Sequence, residues 1–134
     1  MSSLSLTGMN GLTPQELEIF RRDGYLVRRG LTDAATCDAI AEMARTHLEV
    51  NLAPIEYEVD VQYPGAPKSK DAPGGDTCRR LLHAYSRADV IRDWAVSEGV
   101  KQSLQALLNS PDNVLSQCHH NCIMTKQPGY SSAT

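Results

Sequence analysis

The chain has 134 residues, of which 41% are hydrophobic and 22% charged, and its 16 acidic and 13 basic side chains give a formal charge of −3. That length corresponds to one domain or part of one, and the scattered charges form no basic stripe that would track a nucleic-acid backbone. A mean hydropathy of −0.35, with no run approaching the roughly 18 apolar residues of a membrane span, excludes an integral membrane protein.

The opening "MSSLSLTGMNG" has no basic region followed by an apolar run. It reads as a flexible tail over residues 1–11, in a protein expected to be cytoplasmic with its four cysteines as reduced thiols. The fold is expected to begin at Leu12. In "LTPQEL" Thr13 is placed to cap a helix, Pro14 to occupy its first position and Glu16 to complete a capping box. Asp23-Gly24 ends that helix, and "YLV" after it predicts a short strand. A second helix is predicted from Asp33, with Cys37, Ile40, Ala41, Ala44 and Leu48 as its apolar stripe. Pro54 to Gly75 is rich in proline and glycine and reads as a long loop over a binding site, with "YEVDVQY" as a possible strand inside it. From Thr77 to Asn109 the apolar spacing predicts helices, with Leu81, Leu82 and Tyr85, then Val90, Ile91 and Trp94, then Val100, Leu104, Leu107 and Leu108 turned inward. Ser97 is placed to cap the last of them. The turn "SPDN" then leads to a strand predicted over 114–126.

That strand carries the densest chemistry, "SQCHHNCIMTK". A zinc site from Cys118, His119 or His120, and Cys122 is disfavoured, because residues four apart on a strand are separated by about 13 Å, while zinc holds each sulfur at about 2.3 Å. The pair His47 and Glu49 has the His-x-acid spacing of iron sites. It falls in the last turn of a helix, however, where positions two apart diverge by about 200°. Strand alternation puts Cys118, His120, Cys122, Met124 and Lys126 on one face, and His119, Asn121, Ile123 and Thr125 on the other. Lys126 either faces solvent or meets an anion. Arg79 and Arg80 are open to the same two readings, solvated arginines at a helix start or contacts to an anionic substrate.

Together, "LTPQELEIFRRDGYLVRRGLTDAATCDAI", "GGDTCRRLLHAYSR" and "HHNCIMTKQPGYSSAT" resemble the phytanoyl-CoA dioxygenase family from about Leu12 to Thr134. The resemblance implies an α+β fold: N-terminal helices and the first strands of a double-stranded β-helix, or jelly roll, incomplete at the C-terminus. It implies Fe(II) and 2-oxoglutarate as cofactors of the intact enzyme, and a small-molecule substrate. On the matching strand Lys126 is the cofactor-binding residue for the 2-oxoglutarate carboxylate, and His120 and Met124 face substrate. The His-x-Asp pair that follows in the family is absent, since no histidine of this sequence stands two residues before an aspartate. The expectation is therefore a chain holding neither the metal ligands nor the catalytic centre. The alternative is a non-catalytic truncated or interaction module derived from the same fold.

Overall fold

The structure, a computed structural model, describes residues 11–116 and 121–127. The elements run α1 (Pro14–Asp23), α2 (Ala34–Glu49), β1 (Ile55–Tyr57), a 3-10 turn (Glu58–Asp60), β2 (Cys78–Leu82), α3 (Ala84–Arg87), α4 (Asp89–Ala95), α5 (Glu98–Leu108) and β3 (Cys122–Met124). The strands form one antiparallel sheet in the order β1-β2-β3, so the fold is mixed helix and small sheet. The tail predicted over 1–11 lies outside the described residues except for Gly11.

The first helix is set by local chemistry. Thr13 Oγ1 accepts from the Glu16 amide at 3.1 Å, and Glu16 Oε2 accepts from the Thr13 amide at 2.8 Å. The Thr13 amide holds the Glu16 carboxyl below its usual pKa. Gly24 closes the helix at φ 79, donating to the Phe20 carbonyl, a left-handed position that glycine adopts without a Cβ clash. Asp33 caps α2 in the same way, at 2.7 Å to the Thr36 amide.

Residues 25–27, predicted as a strand, are irregular. Tyr25 and Val27 are exposed, and among the described residues no strand pairs with them. What fixes this segment is Arg28, whose Nη1 donates to Ser103 Oγ at 2.7 Å and whose Nε lies 3.4 Å from Glu16 Oε1. On α5 Ser103 is buried, while Leu104 and Leu108 are exposed, so the inward stripe predicted there is displaced. On α2 Cys37 and Ala41 are exposed, and the partly covered face is Ile40, Met43, Ala44, His47 and Leu48.

A larger correction concerns 78–82. Predicted as helix, this stretch is the central strand, with Leu81 fully buried and Cys78 nearly so. Across the sheet Ile55 pairs with Leu81 and Leu81 with Ile123, an apolar row that the helical layer covers. Ala84 of α3 and Ile91 of α4 complete the core, and α2 packs on α4 and β2. His83 makes the sharp change from strand to helix at φ 54.

The long loop is closed at its base, where the Glu58 amide donates to the Thr77 carbonyl at 2.9 Å. "YEVDVQY" is a strand only up to Tyr57. A bulge lies between Glu56 and Tyr57, and Asp60 Oδ2 accepts from the Tyr57 amide at 2.8 Å, curling the chain into the 3-10 turn. Arg87 clamps the other end of β1: Nε donates to the Leu82 carbonyl at 2.7 Å, Nη1 to Leu52 at 3.0 Å, and Nη2 to Pro54. Arg87→Ala is expected to lower stability by about 2 kcal/mol, read as a shift of the urea midpoint. Arg87→Lys should recover little of it, because an ammonium has no planar fork to span three carbonyls.

Candidate functional site

Of the strand predicted over 114–126, Cys122–Met124 is the only part extended and paired among the described residues. Residues 111–116 are irregular and exposed. Cys118, His119 and His120 lie outside the described residues, so the zinc reading and the substrate role of His120 fall there too.

For the part described, the register tests the assigned facing directly. Ile123 pairs with Leu81 and belongs to the covered face, whereas Met124 pairs with Arg80 and is 37% exposed. Asn121 turns towards the helices, where its side-chain oxygen accepts from the Tyr85 amide at 3.0 Å and its carbonyl from the Ala84 amide at 2.9 Å. In this way it caps α3. The alternation ends after Thr125, because Lys126 has φ 44 and the extended geometry behind a period of two no longer applies. Lys126 is exposed, next to the face of Met124 but placed there by a backbone turn. Thr125 is fastened to β2, its hydroxyl donating to the Cys78 carbonyl at 2.6 Å and its amide to Arg79 at 3.2 Å. Thr125→Val is expected to cost about 1 kcal/mol of stability, measured by thermal melting.

The two arginines of β2 are not solvated residues of a helix start. Arg79 is 4% exposed. Its Nη1 lies 3.2 Å from Glu58 Oε2, which also accepts from Tyr63 Oη at 2.7 Å, and its guanidinium sits over the Tyr63 ring at 5.4 Å. Glu58 is buried as well, at 3% exposure. Beside them, Glu56 Oε1 is 3.5 Å from Arg79 Nε and 3.3 Å from Arg80 Nε. The register puts Glu56, Arg80 and Met124 in one cross-strand row, on the face opposite the apolar row. Sequence reasoning missed this cluster because its partners are some twenty positions apart. The available signal was the acidic alternation of "EYE" in a segment that needs an antiparallel partner.

Burial pushes the Cys78 thiol above its usual pKa, so it stays protonated and unreactive. His47 lies in the last turn of α2, as expected, with Nδ1 3.4 Å from Arg87 Nη1. Among the described residues no three His, Cys, Asp or Glu side chains gather as a metal-holding group. Among the same residues no helix is long and apolar enough to cross a membrane.

The family model for phytanoyl-CoA dioxygenase matches residues 20–134. The chain belongs to the phytanoyl-CoA dioxygenase family. No curated protein matches it, and no solved structure does. The match takes in α1 from Phe20 onward and the β3 segment, and the family is one of iron(II)- and 2-oxoglutarate-dependent oxygenases.

Proposed function

We propose that this chain is the N-terminal part of an iron(II)- and 2-oxoglutarate-dependent dioxygenase that hydroxylates a small organic molecule. Its helices and three strands would be the opening elements of the family's jelly roll. In this reading Lys126 meets the 2-oxoglutarate carboxylate, His120 and Met124 face the substrate, and the metal ligands are contributed by residues other than these 134. The observation that carries it is the family match over residues 20–134, which ends on the segment bearing Lys126.

The chain's own contribution is positioning. The apolar row of Ile55, Leu81 and Ile123 fixes β3 against the helical layer, Thr125 fastens its end to β2, and the opposite face is left to the ligand. Lys126, as a compact point charge, suits one end of a dicarboxylate.

A second reading is favoured by one specific observation, the absence of any His-x-Asp from the sequence. On that ground the chain would be a non-catalytic module derived from the oxygenase fold. The reading frame beyond codon 134 separates the two: continuation into a His-x-Asp pair is expected for the oxygenase, and a stop codon would favour the module.

A further inference from the structure

A cleft of about 410 Å³ lies between α5, the end of α4 and the irregular segment 111–115. Its apolar walls are Val96, Leu104, Pro111, Val114 and Leu115. All but the proline are large exposed hydrophobics, Val114 at 96%. Gln105 Nε2 donates to the Pro111 carbonyl at 2.7 Å, which ties the two walls together. The charges at the cleft are Asp112 and Lys101, the latter 3.5 Å from Glu98. Apolar surface gathered in a concave site calls for a covering chain. A second copy of this chain is a poor occupant, because stable protein interfaces take about 20–30 residues a side and ten line this cleft. A short extended segment matches its size.

Such a segment arrives beside it. Gly11, the first described residue, is seated on α5: its carbonyl accepts from Arg28 Nη2 at 3.4 Å, Arg28 Nη1 donates to Ser103 Oγ, and a Cβ at Gly11 would lie 3.7 Å from the Gln102 Cβ. Gln102 is one position, about 100° of arc, from Lys101 at the cleft. On a helix about 10–12 Å across that is a path of about 10 Å, which three or four extended residues span at about 3.3 Å each. The preceding "MSSLSLTGMN" has no charged side chain, and Ser3-Leu4-Ser5-Leu6-Thr7 alternates hydroxyls with leucines. In extended form both leucines face one side. Leu6 stands five positions before Gly11 and Leu4 seven, far enough to enter the cleft.

We propose that residues 3–7 lie in this cleft as an extended strap, with Leu4 and Leu6 against Leu104, Val114 and Leu115, and Ser3, Ser5 and Thr7 turned to solvent. The segment expected from sequence to be a loose tail then ties α5 to the chain that leads into β3. This holds for either reading of the function.

The test uses the purified 134-residue chain. NOEs are expected between the methyl groups of Leu6 and those of Leu104 or Val114, at a strength that protein dilution does not change. In Leu4→Ser with Leu6→Ser, the amides of 112–116 should exchange with deuterium about tenfold faster, whereas Ser3→Ala with Ser5→Ala should keep them within about twofold. The amides of β2 should keep their rates in both. The NOEs of the unmutated chain make the test independent of any variant's stability. Their absence overturns the proposal. So does their appearance between labelled and unlabelled chains in a mixture, which would make a second copy the occupant, and so does unchanged exchange of 112–116 in the double leucine variant.

Discussion

Arg79→Met should destabilise the fold by about 3–5 kcal/mol, the range seen when one partner of a buried ion pair is removed. Arg79 and Glu58 are 4% and 3% exposed, and taking away the guanidinium leaves the Glu58 carboxylate enclosed, with the Tyr63 hydroxyl at 2.7 Å to carry its charge. Water cannot replace the lost cation without opening the base of the loop, where Glu58 is joined to Thr77. The double variant Arg79→Met with Glu58→Gln should lose less than Arg79→Met alone, because a neutral amide still accepts from Tyr63 and no isolated charge stays buried. Equilibrium urea unfolding of both variants checks this. Equal losses in the two would mean that Arg79 acts through the packing of its stem.

This cluster also marks where the sequence became hard to read. Thr13, Glu16 and Gly24 were legible because capping is decided within a few residues of the helix end, and the same holds for Asp33. The strand Cys78–Leu82 was not legible. "CRRLL" followed by Tyr85 satisfies a helical spacing, and its strand character comes from pairing with Ile55 and Ile123, contacts made across long stretches of chain. Arg79 looked like a surface residue for the same reason, since its carboxylate partner sits 21 positions earlier. "YLV" at 25–27 shows the converse: a strand-forming composition stays irregular where no edge among the described residues receives it.

Lys126→Ala in the complete oxygenase is expected to weaken 2-oxoglutarate binding by about 2–5 kcal/mol, the loss found when an enclosed charge pair is truncated on one side. Lys126 is exposed, so a loss of that size requires that, as proposed, residues outside this chain enclose it around the ligand. A change below about threefold would mean that the ammonium remains in water and is not the cation of that carboxylate. Met124→Ala should act on the substrate and leave 2-oxoglutarate affinity unchanged, since Met124 projects from the paired part of β3 opposite Arg80. Thr125→Val is the control, lowering stability through its lost bond to Cys78 without changing affinity for either ligand.

Of this site, the facing of Ile123, Met124 and Asn121 was legible, because alternation along three extended residues depends on backbone geometry alone. The position of Lys126 was not, since φ 44 breaks the alternation after Thr125 and a sequence does not announce a left-handed lysine. Arg80 stayed open in the sequence between a solvated cation and a contact to an anion, and its place in the Met124 row needs the register of three strands.

The central claim is that these 134 residues bear the cosubstrate and substrate face of a family oxygenase and none of its iron ligands. Succinate formation from 2-oxoglutarate by the purified chain, with ferrous iron and oxygen supplied, tests it most directly. The account predicts succinate no higher than in a metal-free control. Iron-dependent succinate above that control, lost on substitution of a histidine or cysteine within this sequence, would contradict it.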